Sequence, residues 1–249
     1  MAEELGVHHS TVARSWKQLG LKPHLERTFK VSRDPPFAQK LEDIVGLYMS
    51  PPDNAIVLCC DEKSQIQALD RTQPRLPLKR GRASTMTHDY KRHGTTTLFA
   101  AMDILNGRII SKCQPRHRHT EWLAFLKQID QQTPQDKVLH IIADNYSTHQ
   151  HKKVEQWLEK HPRFQMHFTP TSASWMNRVE RFFRDLSTQR LKRGVFTSVK
   201  ELTEAIEEYI QIQNKKPKPF IWTAKAKDIL EKVIRANSHL SSKQNTTLH

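Results

Sequence analysis

Acid is what this chain is short of, and cysteine is scarcer still. Its 249 residues hold 26 Asp and Glu against 40 Lys and Arg, a formal net charge of +14 and a pI near 9.8. That imbalance predicts a polyanionic partner, nucleic acid first, because a cationic surface gains affinity by releasing condensed counterions. An anionic membrane surface would attract the same charge, but no segment approaches the ~20 apolar residues that a membrane span requires. The opening Met1-Ala2-Glu3-Glu4-Leu5-Gly6 has no basic and apolar leader, which argues against secretion. Three cysteines occur, Cys59, Cys60 and Cys113, with no Cys-x-x-Cys pair, so neither a zinc site nor a disulfide framework is indicated. The length suffices for one full core and a small appended module.

At the N-terminus, Ala2, Gly6 and Val12 are spaced as in a helix-turn-helix, with Val12, Trp16 and Leu19 packing a second helix capped by Ser10 or His9. Thr11, Arg14 and Lys17 would then face a DNA groove. An ordinary helical hairpin fits equally well. A folded module needs a further helix before Ala2, so residues 1–21 are expected to be a truncated remnant. Residues 22–50 read as a proline-bearing linker and a helix from Ala38 to Met49, residues 51–236 as the main domain, and residues 237–249 as a disordered tail.

Within the main domain a short apolar run, Ala55 to Cys60, reads as a buried strand ending at Asp61. Further strands are expected at Thr95–Met102, Arg108–Cys113, Val138–Ala143 and Phe164–Phe168. Helices are expected at Thr120–Ile129, His151–Lys160, the stretch around Glu180 and Val199–Ile212. Three strands, then helix, strand, helix, strand, helix resembles an RNase H-like fold, an α/β class with a mixed five-stranded sheet. In it the first and fourth strands are neighbours, which would bring Asp61 and Asp144 together. Met176, Val179, Phe183 and Leu186 mark a buried helical stripe that puts Glu180 at the edge of the core. Three carboxylates so placed can share divalent cations for phosphoryl transfer. Taken singly, each acid also fits a structural or surface role. Glu62 and Asp103 are the rival acids: Glu62 should point away from Asp61, and Asp103 suits turn geometry.

The runs Cys60 to Pro74, Thr87 to Thr95, Asp144 to His149 and Phe168 to Glu180 resemble bacterial transposases of the insertion sequence 630 family, in the mariner superfamily. The resemblance implies a DDE catalytic domain with Asp61, Asp144 and Glu180 as catalytic and metal-binding triad, the last two separated by 35 residues. It further implies two Mg²⁺ or Mn²⁺ ions, cleavage at transposon ends, and strand transfer into target DNA at TA sites. The chain would then work in the bacterial cytoplasm beside the nucleoid, as a homodimer, because two ends are processed together. Relatives carry a longer N-terminal DNA-binding region. A truncated, non-catalytic DNA-binding regulator is therefore the alternative reading, and a host nuclease of the same fold a third.

Candidate DNA contacts complete the set. Arg71, Arg75, Lys79, Arg80 and Arg82 lie in a basic insertion similar in position to the clamp loop of mariner-like enzymes, and a solvated loop is an equal alternative. Arg116 and Arg118, alternating with His117 and His119, suit phosphates better than metal. His149 and Trp175 are placed to approach the cut end, where Trp175 could stack on a base, though each also fits a structural role. Asn177 shares the Glu180 stripe and joins the same set. Lys215 to Trp222 either holds DNA or joins helices.

Overall fold

In the computed structural model, the structure describes residues 2–20, 32, 34–72, 77, 80–81, 85 and 89–235. Two compact units divide it, Met1–Val31 and Ser32–His249. In the first, residues 2–7 form turns, with the Val7 N–H donating to the Ala2 carbonyl at 3.1 Å and Gly6 at φ +61°. One helix follows, α1 (His9–Gln18), capped by the His8 ring, which accepts from the Ser10 N–H, in place of the Ser10 or His9 that the sequence suggests. Ala2 lies in a turn and α1 buries no residue; Val12 and Trp16 are half-buried and Leu19 is exposed, so the expected helix-on-helix packing is absent from the described residues of this unit.

The second unit is built on a five-stranded sheet of order β3-β2-β1-β4-β5. β1 (Ala55–Arg71), β2 (Tyr90–Asp103) and β3 (Ile109–Gln114) pair antiparallel, while β4 (Val138–Ala143) runs parallel to β1 and β5 (Phe164–Phe168) parallel to β4. β1 is central, and it is buried without a break from Val57 to Asp61, as a strand covered on both faces must be. Its alternating side chains feed two cores. Val57 and Cys59 pack with α2 (Phe37–Met49), α5 (Val179–Leu186) and α6 (Val199–Lys215). Leu58 and Cys60 pack with α3 (His119–Gln132) and with Val154 of α4 (Lys152–Glu159).

Two elements exceed their expected bounds. β1 and β2 continue as a ribbon well past Cys60 and before Thr95, closing at Arg71 opposite Tyr90, with register shifts near Ile66 and Leu69. The polar residues of this ribbon resemble loop because water, not core, covers most of it, yet its backbone groups are paired across the ladder. α2 is no lead-in to the domain: Leu41 and Ile44 are fully buried, and the Tyr48 hydroxyl donates to the Met176 carbonyl at 2.6 Å. Among the described residues no helix is long and apolar enough to cross a membrane.

Candidate active site

The parallel ladder between β1 and β4 runs in register from Ala55 opposite Val138 to Cys59 opposite Ile142. Asp61 stands two residues past Cys59 in β1 and on the same face, the one covered by α5, and Asp144 directly follows the last residue of β4, near enough for its charge to act on Asp61. Glu180 enters in the first turn of α5, whose Val179, Phe182, Phe183 and Leu186 are buried on that face. Asn177 fastens the start of this helix to β1, its Nδ2 donating to the Cys60 carbonyl at 2.8 Å, one residue before Asp61. The three acids thus converge on one end of the sheet, Asp61 buried and Glu180 exposed. Burial, then the charges of Glu62, Glu180 and Asp144, raise the Asp61 carboxyl to about 8. Burial also raises Glu180, against an opposing pull from Lys63 and with a further push from Asp144.

Asp144 behaves differently because His149 holds it. The His149 ring, with its side chain fully enclosed, lies 3.0 Å from Asp144 Oδ1 through Nδ1 and 3.2 Å from Glu62 Oε2 through Nε2. Burial alone would lower its proton affinity, but the hydrogen bonds to Asp144 and Glu62 outweigh that and hold it at about 10. His149 is therefore a cation at neutral pH. For Asp144, the penalty of burial is outweighed by the same bond, which keeps its carboxyl below the ordinary value. Glu62 does sit on the opposite face of β1 from Asp61, yet it reaches the site through this bridge.

Comparison with known proteins decides the family. A family model described as DDE superfamily endonuclease matches residues 56–203, from β1 into α6 and more than half of the chain. The chain belongs to that superfamily. The insertion element IS630 uncharacterized 39 kDa protein of Shigella sonnei is 23% identical over 90 residues, covering 36% of this chain and 26% of that protein. Among solved structures, the Mos1 strand transfer complex is similar at a TM-score of 0.60 and 14% identity, covering 84% of this chain and 64% of that one. The catalytic domain of Mos1 mariner transposase gives 0.53 and 11%, covering 75% and 85%. The chain thus spans about a quarter of that curated relative and just under two thirds of the chain in the strand transfer complex, and at these identities the structural likeness establishes the RNase H-like fold.

For a DDE endonuclease the implied metal can be tested against the donors present. Among the described residues no group of three or more His, Cys, Asp or Glu is placed to hold a metal ion. The donor type nevertheless fits a hard divalent cation: all three are carboxylates, and Asp61 and Glu180 are raised in proton affinity by the charge of Asp144, with Asp61 raised by Glu180 as well. A bound cation would relieve that repulsion.

The other expected contacts separate by environment. Thr11, Arg14, Lys17, Arg80 and Arg116 are exposed, and Trp175 is 48% exposed beside the start of α5. Arg71 pairs opposite Tyr90 at the ribbon's end. Arg75, Lys79 and Arg82 lie outside the described residues. Arg118 is exposed but committed, its guanidinium bonding Glu121 at 2.7 Å and 3.2 Å in the cap of α3. His149 and Asn177 are buried and bonded inside the protein, His149 to Glu62 and Asn177 to the Cys60 carbonyl. What the sequence did not disclose is that Glu62 and Asn177 brace the acids, since each acts on a partner more than 80 residues away.

Proposed function

We propose that this chain is the catalytic part of a DNA transposase, cutting phosphodiester bonds at transposon ends and joining the freed 3′-hydroxyl to target DNA, at TA sites. The observation that carries the reading is the convergence of Asp61 on β1, Asp144 just past the end of the neighbouring β4 and Glu180 in the first turn of α5, whose charges act on one another. These three would hold two Mg²⁺ or Mn²⁺ ions, which when bound supply activation of the attacking water and charge at the leaving oxygen. Asp61 would hold an ion as the ionised carboxylate, so its raised proton affinity would oppose binding at low pH. His149 and Glu62 keep the Asp144 carboxylate ionised and aimed, and Asn177 keeps the Glu180 helix on β1. Residues from Ser32 onward would carry catalysis, the first unit would contribute to DNA binding, and two copies would act on paired ends in the bacterial cytoplasm.

The test is cleavage of a labelled duplex carrying the element's terminal repeat, with Mg²⁺ or Mn²⁺ present or chelated. Metal-dependent nicking is expected, and Asp144→Ala should abolish it while leaving DNA binding intact. Binding without cutting by both forms would replace the enzyme with a non-catalytic DNA-binding protein.

A further inference from the structure

Beside α5, on the side away from β4, lies a cavity of about 550 Å³ that the catalytic reading leaves unused. Four cations line it, Arg178, Arg181, Lys216 and Lys218, against one acid, Asp185. Asp185 is itself divided between Arg181 at 3.9 Å and Arg184 at 3.6 Å. Arg178 has its guanidinium 3.6 Å from the Phe220 ring centre, and its buried Nε has no hydrogen-bond partner.

The lysine-bearing wall is fixed in place. The Asn214 side chain exchanges two hydrogen bonds with the Ile109 backbone, both 2.8 Å, and the Phe220 N–H donates to the Ile104 carbonyl at 3.1 Å. Between these anchors the chain passes directly over Gly107, at φ +75°, where any Cβ would run into the Lys218 carbonyl. A cavity whose backbone wall is anchored, with cations around it and an aromatic side, suits an oxyanion.

We propose that this cavity binds a phosphate group, and that in the DNA complex the occupant is a backbone phosphate next to the cut. Only the owner of the phosphate rests on the functional reading above. Arg178 and Arg181 flank Glu180 on the same stretch of chain, within about 3 Å of helix rise. Glu180 itself leaves the helix on another side and does not line the cavity, so a strand whose scissile phosphate meets Glu180 would reach the cavity by continuing across the start of α5.

The test uses the full chain in chelator, so that it is independent of cleavage. Duplex binding is followed by fluorescence anisotropy from 50 to 200 mM salt, and inorganic phosphate binding by calorimetry. Lys216→Gln/Lys218→Gln should lower the magnitude of the salt slope by about 0.9 for each phosphate that is no longer neutralised, and abolish phosphate binding. Arg178→Gln should do the same if its melting temperature shows it folded; the lysine pair decides otherwise. Lys127→Gln/Lys137→Gln, far from the cavity, should leave both readouts unchanged. Abolished phosphate binding with an unaltered duplex slope would keep the site and assign it to a free phosphate. No phosphate binding by the wild type, or an equal slope change in the control pair, overturns the proposal.

Discussion

At the scale of single residues, Asp61 is a carboxylate whose environment opposes its charge. Its folded pKa of about 8 stands above the ordinary 3.8, so the native state binds the extra proton and stability falls as pH rises between those values. Asp61→Asn should therefore stabilise the metal-free protein by about 1–3 kcal/mol at pH 8 and far less at pH 5, in urea unfolding with chelator. An advantage equal at both pH values would rule out this origin. His149 runs the same way for a different reason. Its folded pKa of about 10 stands above 6.5, so its contribution is complete below pH 6.5 and is lost as pH rises through 10. His149→Ala leaves Glu62 enclosed without its partner and should cost about 3 kcal/mol at pH 6; the open Asp144 half of the bridge adds little. The elements that carry the three acids were legible in the sequence, because Asp61 and Asp144 each follow an apolar run and Glu180 lies beside an apolar helical stripe. The bridge was not: His149 stands close behind Asp144 in the chain, but nothing local says that Glu62 closes the other side.

At the scale of elements, legibility followed apolar periodicity. β4 and β5 match their expected bounds residue for residue, β4 as a run buried in the sheet and β5 as a short edge strand with alternating apolar residues, of which Phe164 is buried. β1 and β2 outran theirs because a solvent-facing ribbon lacks such a signal, and α2 looked peripheral because a proline-bearing stretch precedes it. Its packing gives a direct check. Leu41 is fully buried between α2 and the sheet, so Leu41→Ala should lower stability by about 2–5 kcal/mol in denaturant titration of the full chain. A loss under about 0.5 kcal/mol would mean that α2 is not part of the core. In the ribbon, Gln65 sits at φ +52° where β1 shifts register, a conformation that costs any side chain but glycine none. Gln65→Gly should be neutral or stabilising by up to about 1 kcal/mol, whereas glycine elsewhere in a strand weakens it.

At the scale of the whole molecule, the order of elements along the chain implied that the first and fourth strands are neighbours, and the ladder from Ala55 to Cys59 bears that out. Composition told only that a polyanion is the partner, not where its charges are met. The structure sets three acids together at one end of the sheet in a molecule of net charge +14, a local concentration of acid in a basic chain. Without metal this spot repels DNA that the rest of the surface attracts. In chelator, Asp144→Ala should thus bind duplex about two- to fivefold more tightly than the wild type, an effect that shrinks at high salt as the charges are screened. Added Mg²⁺ should tighten wild-type binding and change the variant less, because a cation held by the acids removes the same repulsion. Anisotropy titrations of both forms at two salt concentrations decide it: weaker binding by the variant in chelator would mean that Asp144 supports the DNA-bound form by some route other than charge.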